Sequence, residues 1–160
     1  MTLKTEINNS FFSKPFLESL FFVQNKWHQH GIFVHTLRVV YCTLKAKEFK
    51  MLGAALFHDV GKPSTAFVKD DEDRQYNEYS FTDHEERSYQ IIKNWSFLSE
   101  YTKNMVRYHY LIRDISLSKS RNKQRYEEKK NIWDGLSQNL QDDLAIFLKL
   151  DDEGKGKKRR

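Results

Sequence analysis

The residues in this chain best suited to chemistry are imidazoles and carboxylates, and two of them stand side by side. His58 and Asp59 close the apolar run A-L-F-H-D-V-G-K-P at positions 55–63. A buried ionised carboxylate carries a desolvation penalty of order several kcal/mol, so such a pair persists in a hydrophobic segment only if partners or a cation offset that cost. The other histidines are His28, His30, His35, His84 and His109. Helical periodicity puts His58 on one face with Met51, Ala54 and Ala55. It also puts His84 at the head of a stripe with Ile91 and Trp95, and His109 beside Met105, Val106 and Ile112. Asp151 ends the stripe Leu140, Leu144, Leu148. His35 lies next to an apolar face expected from Leu37, Val40, Tyr41 and Leu44.

Four histidines and two aspartates therefore point inward, or nearly so, from five helices. One such histidine alone reads as a hydrogen-bonded core residue. Six converging polar groups read as ligands, because a divalent metal satisfies all of them together. Mixed imidazole and carboxylate donors suit manganese, iron, nickel, cobalt or zinc, and the lack of cysteine ligands argues against a structural zinc site.

The elements that must position these groups are helical. With two prolines, six glycines and apolar residues at three- and four-residue spacing, the pattern predicts an all-α fold, a single compact bundle of about six to seven helices. The helical segments fall at 15–24, 31–45, 47–58, 83–97, 101–112 and 129–150. Pro63 ends the helix carrying His58 near Gly61. The T-D-H-E at 82–85 has capping-box spacing and starts a helix just ahead of His84. Residues 64–80, with K-D-D-E-D-R-Q, read as an acidic solvated connection, and the basic polar stretch 116–130 as a flank of the site.

A length of 160 residues fits one domain, and 39% hydrophobic with 14% aromatic residues excludes intrinsic disorder. No run approaches the roughly 20 apolar residues of a membrane span. The N-terminus lacks an apolar leader core, and the lone Cys42 reads as a core thiol, so a soluble cytoplasmic protein is expected. Of the 27 basic residues, five lie in 155–160, leaving 22 against 22 acidic ones. The division expected is a domain over 1–154 and a basic, disordered tail over 155–160. Phosphate affinity and simple solubilisation explain that tail equally well.

The order His35, His58-Asp59, His84, His109, Asp151 resembles the H…HD…H…H…D signature of the HD superfamily of metal-dependent phosphohydrolases. It is most similar to the HD domain of bacterial tRNA nucleotidyltransferases, the CCA-adding enzymes. The likeness rests on W-H-Q-H-G-I-F-V-H-T-L (27–37), A-A-L-F-H-D-V-G-K-P (54–63), F-T-D-H-E (81–85), M-V-R-Y-H (105–109) and L-D-D-E-G-K (150–155). These cover about residues 24–155. Asp83 stands where that pattern has a small residue, and Leu150 where it has alanine. Asp151 is taken over Asp152 because it keeps the pattern's spacing to Gly154 and Lys155. No nucleotidyltransferase domain is expected ahead of this segment.

The resemblance implies one or two divalent ions. His35, His58, Asp59 and Asp151 would form the minimal set, with His84 and His109 joining a second ion that Asp59 bridges. It further implies Lys62 as a phosphate contact and, with Asp59, as catalytic; by position alone, Arg113 beyond His109 reads as a phosphate clamp and His28 upstream of His35 as a donor to phosphate or to a leaving oxygen. His30 reads as a loop histidine and Arg107 as part of an exposed face. The implied reaction is hydrolysis of a phosphate ester on a nucleotide or RNA end, such as a 2′,3′-cyclic phosphate, with RNA touching the tail and 116–130. The alternatives are a phosphohydrolase of nucleoside monophosphates or cyclic and signalling nucleotides, and a non-catalytic binding module. Six ligands are more than the last would need. The oligomeric state is left open.

Overall fold

Three- and four-residue apolar spacing folds here, as expected, into an almost wholly helical domain. The computed structural model describes residues 14–22, 24, 30–68 and 79–156. In chain order these form α1 (Lys14–Phe21), α2 (Ile32–Lys45), a 3-10 turn (Phe49–Met51), α3 (Leu52–Phe57) and α4 (Lys62–Thr65). After them come α5 (His84–Ile92), α6 (Glu100–Tyr108), α7 (Leu111–Ser118), α8 (Lys123–Asp134) and α9 (Gln138–Lys155). A two-residue antiparallel pair, β1 (Ala66–Phe67) with β2 (Ser80–Phe81), clips the ends of the acidic connection, with Ala66 opposite Phe81. Residues 69–78 of that connection lie outside the described residues.

The core runs through the middle of α2, α3, α5, α6 and α9. Val39, Met51, Ala54, Ala55, Ile92, Met105, Val106, Leu144 and Phe147 have essentially no contact with solvent. Each large apolar side chain so placed contributes roughly 1.5–3 kcal/mol. Phe57 packs at 5.9 Å from Phe16 and 5.3 Å from Trp95, tying α1 and the connection that follows α5 to the doublet helix. α9 lies close against α2 because Gly154 has no side chain. A Cβ there would sit 2.4 Å from Val39 Cγ2 and 3.4 Å from His35 Cε1. Only glycine lets the two helices that carry Asp151 and His35 approach this far.

Several elements differ from expectation. The largest difference is α2, whose buried face is Ile32, His35, Thr36, Val39 and Thr43, whereas Leu37, Tyr41 and Leu44 are exposed. α2 has two uncharged faces, and the one that meets α9 is the one carrying His35. The helix expected over 101–112 is α6 and α7, broken at His109 and Tyr110. The one expected over 129–150 is α8 and α9, separated at Gly135 and restarted by Ser137, whose hydroxyl accepts from the Leu140 N–H. The segment over 47–58 begins as a 3-10 turn. No capping box forms at 82–85: Asp83 takes a left-handed conformation, φ 53°, and its carboxylate accepts from Arg125 Nη2 at 3.0 Å. Lys155, expected in the tail, is the last residue of α9; residues 157–160 lie outside the described residues. Among the described residues no helix is long and apolar enough to cross a membrane.

Candidate metal centre

α3 delivers His58 at its C-terminal cap, and the chain then turns through Asp59, Val60 and Gly61 into Lys62. Ser88 of α5 fixes this turn. Its hydroxyl donates to the His58 carbonyl at 2.7 Å and accepts from the Gly61 N–H at 2.9 Å. Gly61 is obligatory, since a Cβ would lie 2.5 Å from Ser88 N and 2.6 Å from the His84 carbonyl oxygen. The turn carrying the doublet is thus pressed directly on the backbone of the helix that starts with His84.

Six side chains converge on this spot. His35 comes from α2, His58 and Asp59 from the end of α3, His84 from the start of α5, His109 from the C-terminal cap of α6 and Asp151 from α9. All are buried. His35 Nε2 lies 3.2 Å from His58 Nε2, 3.0 Å from Asp151 Oδ1 and 3.5 Å from Asp59 Oδ2. His58 Nε2 is 3.2 Å from Asp59 Oδ2 and 3.5 Å from Asp151 Oδ1. On the other side, Asp59 Oδ1 faces His84 Nε2 at 3.5 Å and His109 Nε2 at 3.8 Å. Two triads result, His35–His58–Asp59 and Asp59–His84–His109. One oxygen of Asp59 belongs to each.

The donor set fits cations. His58, His84 and His109 each place Nδ1 against the carbonyl three residues earlier, of Ala55, Phe81 and Val106, at 3.0, 3.1 and 2.7 Å. With Nδ1–H donating there, Nε2 of His84 and of His109 presents its lone pair inward, and Nε2 of His58 does so once it gives up its proton. Lone pairs and carboxylate oxygens facing one another at 3.0–3.5 Å repel unless something positive lies between them. Apart from the 3.8 Å between His109 and Asp59, the separations lie close to the edges of a coordination shell around an ion at about 2.1 Å, which are ~3.0–3.4 Å.

The match to known families agrees with this geometry. Residues 32–153 match the HD domain model. The chain belongs to the HD-domain family. No curated protein and no solved structure matches it. It is an HD-domain phosphohydrolase with a buried His/Asp metal-binding cluster.

Charge inside this HD domain is closely balanced. Burial keeps His84 neutral, down to about 4 despite Asp59. It also lowers His109, helped by His84 and His58, and lowers His35 against the pull of Asp151 and Asp59. Burial opposes charge on His58 too, but Asp59 and Asp151 outweigh it and raise this histidine to about 9. The two carboxyls are held well below the usual range against their own burial, Asp59 by His58 and Lys62, Asp151 by His35, His58 and Lys155. A metal ion at His58 Nε2 must displace that one proton. Between pH 6 and pH 8 the apparent metal affinity is therefore expected to rise about tenfold per pH unit. Calorimetric titration of manganese at several pH values checks this, and a flat profile would remove His58 from the set.

The structure brings most of the residues named from sequence to one place. Asp152 turns outward and pairs with Arg113, so of the two neighbouring carboxylates Asp151 faces the histidines. Lys62 is buried, 2.7 Å from Asp59 Oδ2 and 2.6 Å from Gln24 Oε1. Arg107 pairs with Glu86 at 2.9 Å, away from the cluster. His28 lies outside the described residues, and His30 gives its carbonyl to Gln24 Nε2. Four contributors were not anticipated. Gln24 holds Lys62, and Ser88 fixes the doublet turn. Lys155 reaches Asp151 Oδ2 at 2.9 Å. Tyr110 lays its ring 5.1 Å from that of His84, beneath the guanidinium of Arg113. Only the Lys155 contact had a readable signal, its four-residue spacing from Asp151 on one helix.

Proposed function

We propose that this HD domain hydrolyses phosphate esters on nucleotides or RNA ends, with 2′,3′-cyclic phosphates as the first substrates to test. The observation that carries this reading is Asp59, whose two oxygens each face a separate pair of imidazoles. So placed, Asp59 would serve both of two divalent ions, with His35 and His58 holding one and His84 and His109 the other. When bound, such ions polarise a phosphoryl oxygen and make water a competent nucleophile near neutral pH.

The chain's own residues would then hold and orient the ester. In addition to His35, His58, Asp59, His84, His109 and Asp151 as ligands, the proposal gives Lys62 and Arg113 the phosphate. The Lys62 ammonium has three N–H donors; Asp59 and Gln24 take two, which leaves one for a phosphate oxygen. Lys155 neutralises Asp151 from behind, and Tyr110 covers His84. In the 116–130 stretch, Arg125 and Lys129 are engaged with Asp114, at 2.8 and 3.1 Å, and brace α8 against α7. Contact with RNA is therefore proposed for the exposed Lys119, Arg121 and Lys123 and for residues 157–160. The likeness to tRNA nucleotidyltransferase HD domains supports RNA ends over phosphate esters in general. The competing small-nucleotide reading uses the same ligands without that basic surface.

The test compares oligonucleotides ending in 2′,3′-cyclic phosphate with nucleoside monophosphates and 3′,5′-cyclic nucleotides, at low and high salt. Salt-sensitive turnover of the oligonucleotides is expected. Equal rates on single nucleotides, indifferent to salt, would replace RNA ends by small nucleotides. Lys62→Ala is expected to lower kcat by about 10²-fold with metal content unchanged, the effect of losing one charge aimed at the reacting phosphate. Loss of metal in that variant would make Lys62 a support for Asp59 instead.

A further inference from the structure

We infer that α2 forms a two-fold interface with a second copy of this chain through the face opposite His35. Phe33, Val34, Leu37, Tyr41 and Leu44 are all substantially exposed, at 40%, 41%, 50%, 64% and 45%. At about 100° per residue they fall within one arc of roughly 100°, on the side away from Ile32, His35, Thr36, Val39 and Thr43. That arc contains no charged residue. The only charged side chains of α2 are Arg38 and Lys45, and Arg38 is turned aside to donate to the carbonyls of Gly154 and Glu153. Together the five exposed side chains offer roughly 400–500 Å² of mostly apolar surface, taking an aromatic as ~150–250 Å². That is the size of the largest apolar patch on a typical monomer, a kind of patch that is often functional, and over half of the ~800 Å² each partner gives a standard interface.

The occupant is a second copy because the strip is self-complementary. Val34, Leu37, Tyr41 and Leu44 follow one another at three, four and three residues, the spacing that another helix reads as a seam. An antiparallel two-fold pairing centred between Leu37 and Tyr41 places Val34 against Leu44 of the partner subunit and Leu37 against Tyr41 of the partner subunit. Every layer then joins a smaller side chain to a larger one, and no layer brings two charges together. The arrangement is isologous, so it closes at two copies and leaves no unsatisfied strip. It also braces α2 from outside, directly behind the histidine that the same helix contributes to the metal centre.

Sedimentation velocity on the full chain at roughly 1–100 μM tests this. A dimer is expected, with Leu37→Glu and Tyr41→Glu together weakening association at least 100-fold or so, the cost of burying unpaired charge. Helical content and bound metal should be unchanged, since both positions are exposed. Leu37→Ser, a milder change, is expected to weaken the dimer by a smaller factor and guards against misfolding of the charged variant. In a Cys42→Ser background, Leu37→Cys with Tyr41→Cys should cross-link copies on oxidation. A wild-type chain that stays monomeric throughout the range would overturn the inference and assign the strip to another segment or protein. A dimer that survives both the charged pair and Leu37→Ser, with no cross-link, would place the interface elsewhere and overturn it equally.

Discussion

Asp59→Asn is expected to remove metal from both halves of the centre at once and to lower phosphate-ester hydrolysis by more than about 10³-fold. Each of the two Asp59 oxygens faces a different pair of imidazoles, so among the described residues Asp59 is the one member common to both triads. The amide keeps the shape but loses the charge that offsets a divalent ion, and it presents an N–H₂ toward lone pairs that need a cation. Loss of one preorganised electrostatic group costs on the order of 10²–10³ in rate, and here two sets of ligands fail together. His109→Ala is the informative companion. It leaves His35, His58, Asp59 and Asp151 intact, so about one metal equivalent should remain. Atomic emission on both variants distinguishes the cases; an Asp59→Asn protein with full metal would sever this carboxylate from the centre.

Gly61→Ala is expected to destabilise the domain by about 3 kcal/mol, at the upper end of what overpacking costs, and to lower Tm by roughly 6–12 °C. The added carbon would meet Ser88 N at 2.5 Å, the His84 carbonyl oxygen at 2.6 Å and Arg87 C at 2.9 Å. All three are backbone atoms, so no side-chain rotation relieves the contact. α5 must move away from the doublet turn, carrying His84 with it. The loss of stability should therefore come with weaker binding of the second ion, read by thermal melts with and without manganese. A melt unchanged within a degree would show that α5 yields freely and that the tight packing is not what holds His84.

Most of this centre could be read from the sequence, because its residues lie on regular helical stripes. His58 follows Met51, Ala54 and Ala55 at helical spacing, and all four are fully buried. α2 misled for a physical reason. Periodicity reports which residues share a face, not which face meets the core, and the more apolar face of α2 is outside. The break between α6 and α7 was silent because His109 and Tyr110 both keep right-handed backbone angles, with no proline or glycine to announce a kink. The break at Gly135 and Ser137, by contrast, had glycine and a capping serine in plain view. Gln24 and Ser88 could not be anticipated, since their partners are 38 and 27 or 30 residues away and polar side chains carry no periodic signal.

The claim at the centre of this account is that two buried triads sharing Asp59 bind divalent ions and hydrolyse phosphate esters. The most direct measurement is metal content per chain after dialysis against manganese, nickel or cobalt, with the same samples assayed on bis-p-nitrophenyl phosphate. Between one and two equivalents of metal, with turnover that tracks occupancy and disappears on chelation, is the predicted result. A chain that retains no metal and shows no turnover with any of these ions would contradict it, and the six converging side chains would then serve the core alone.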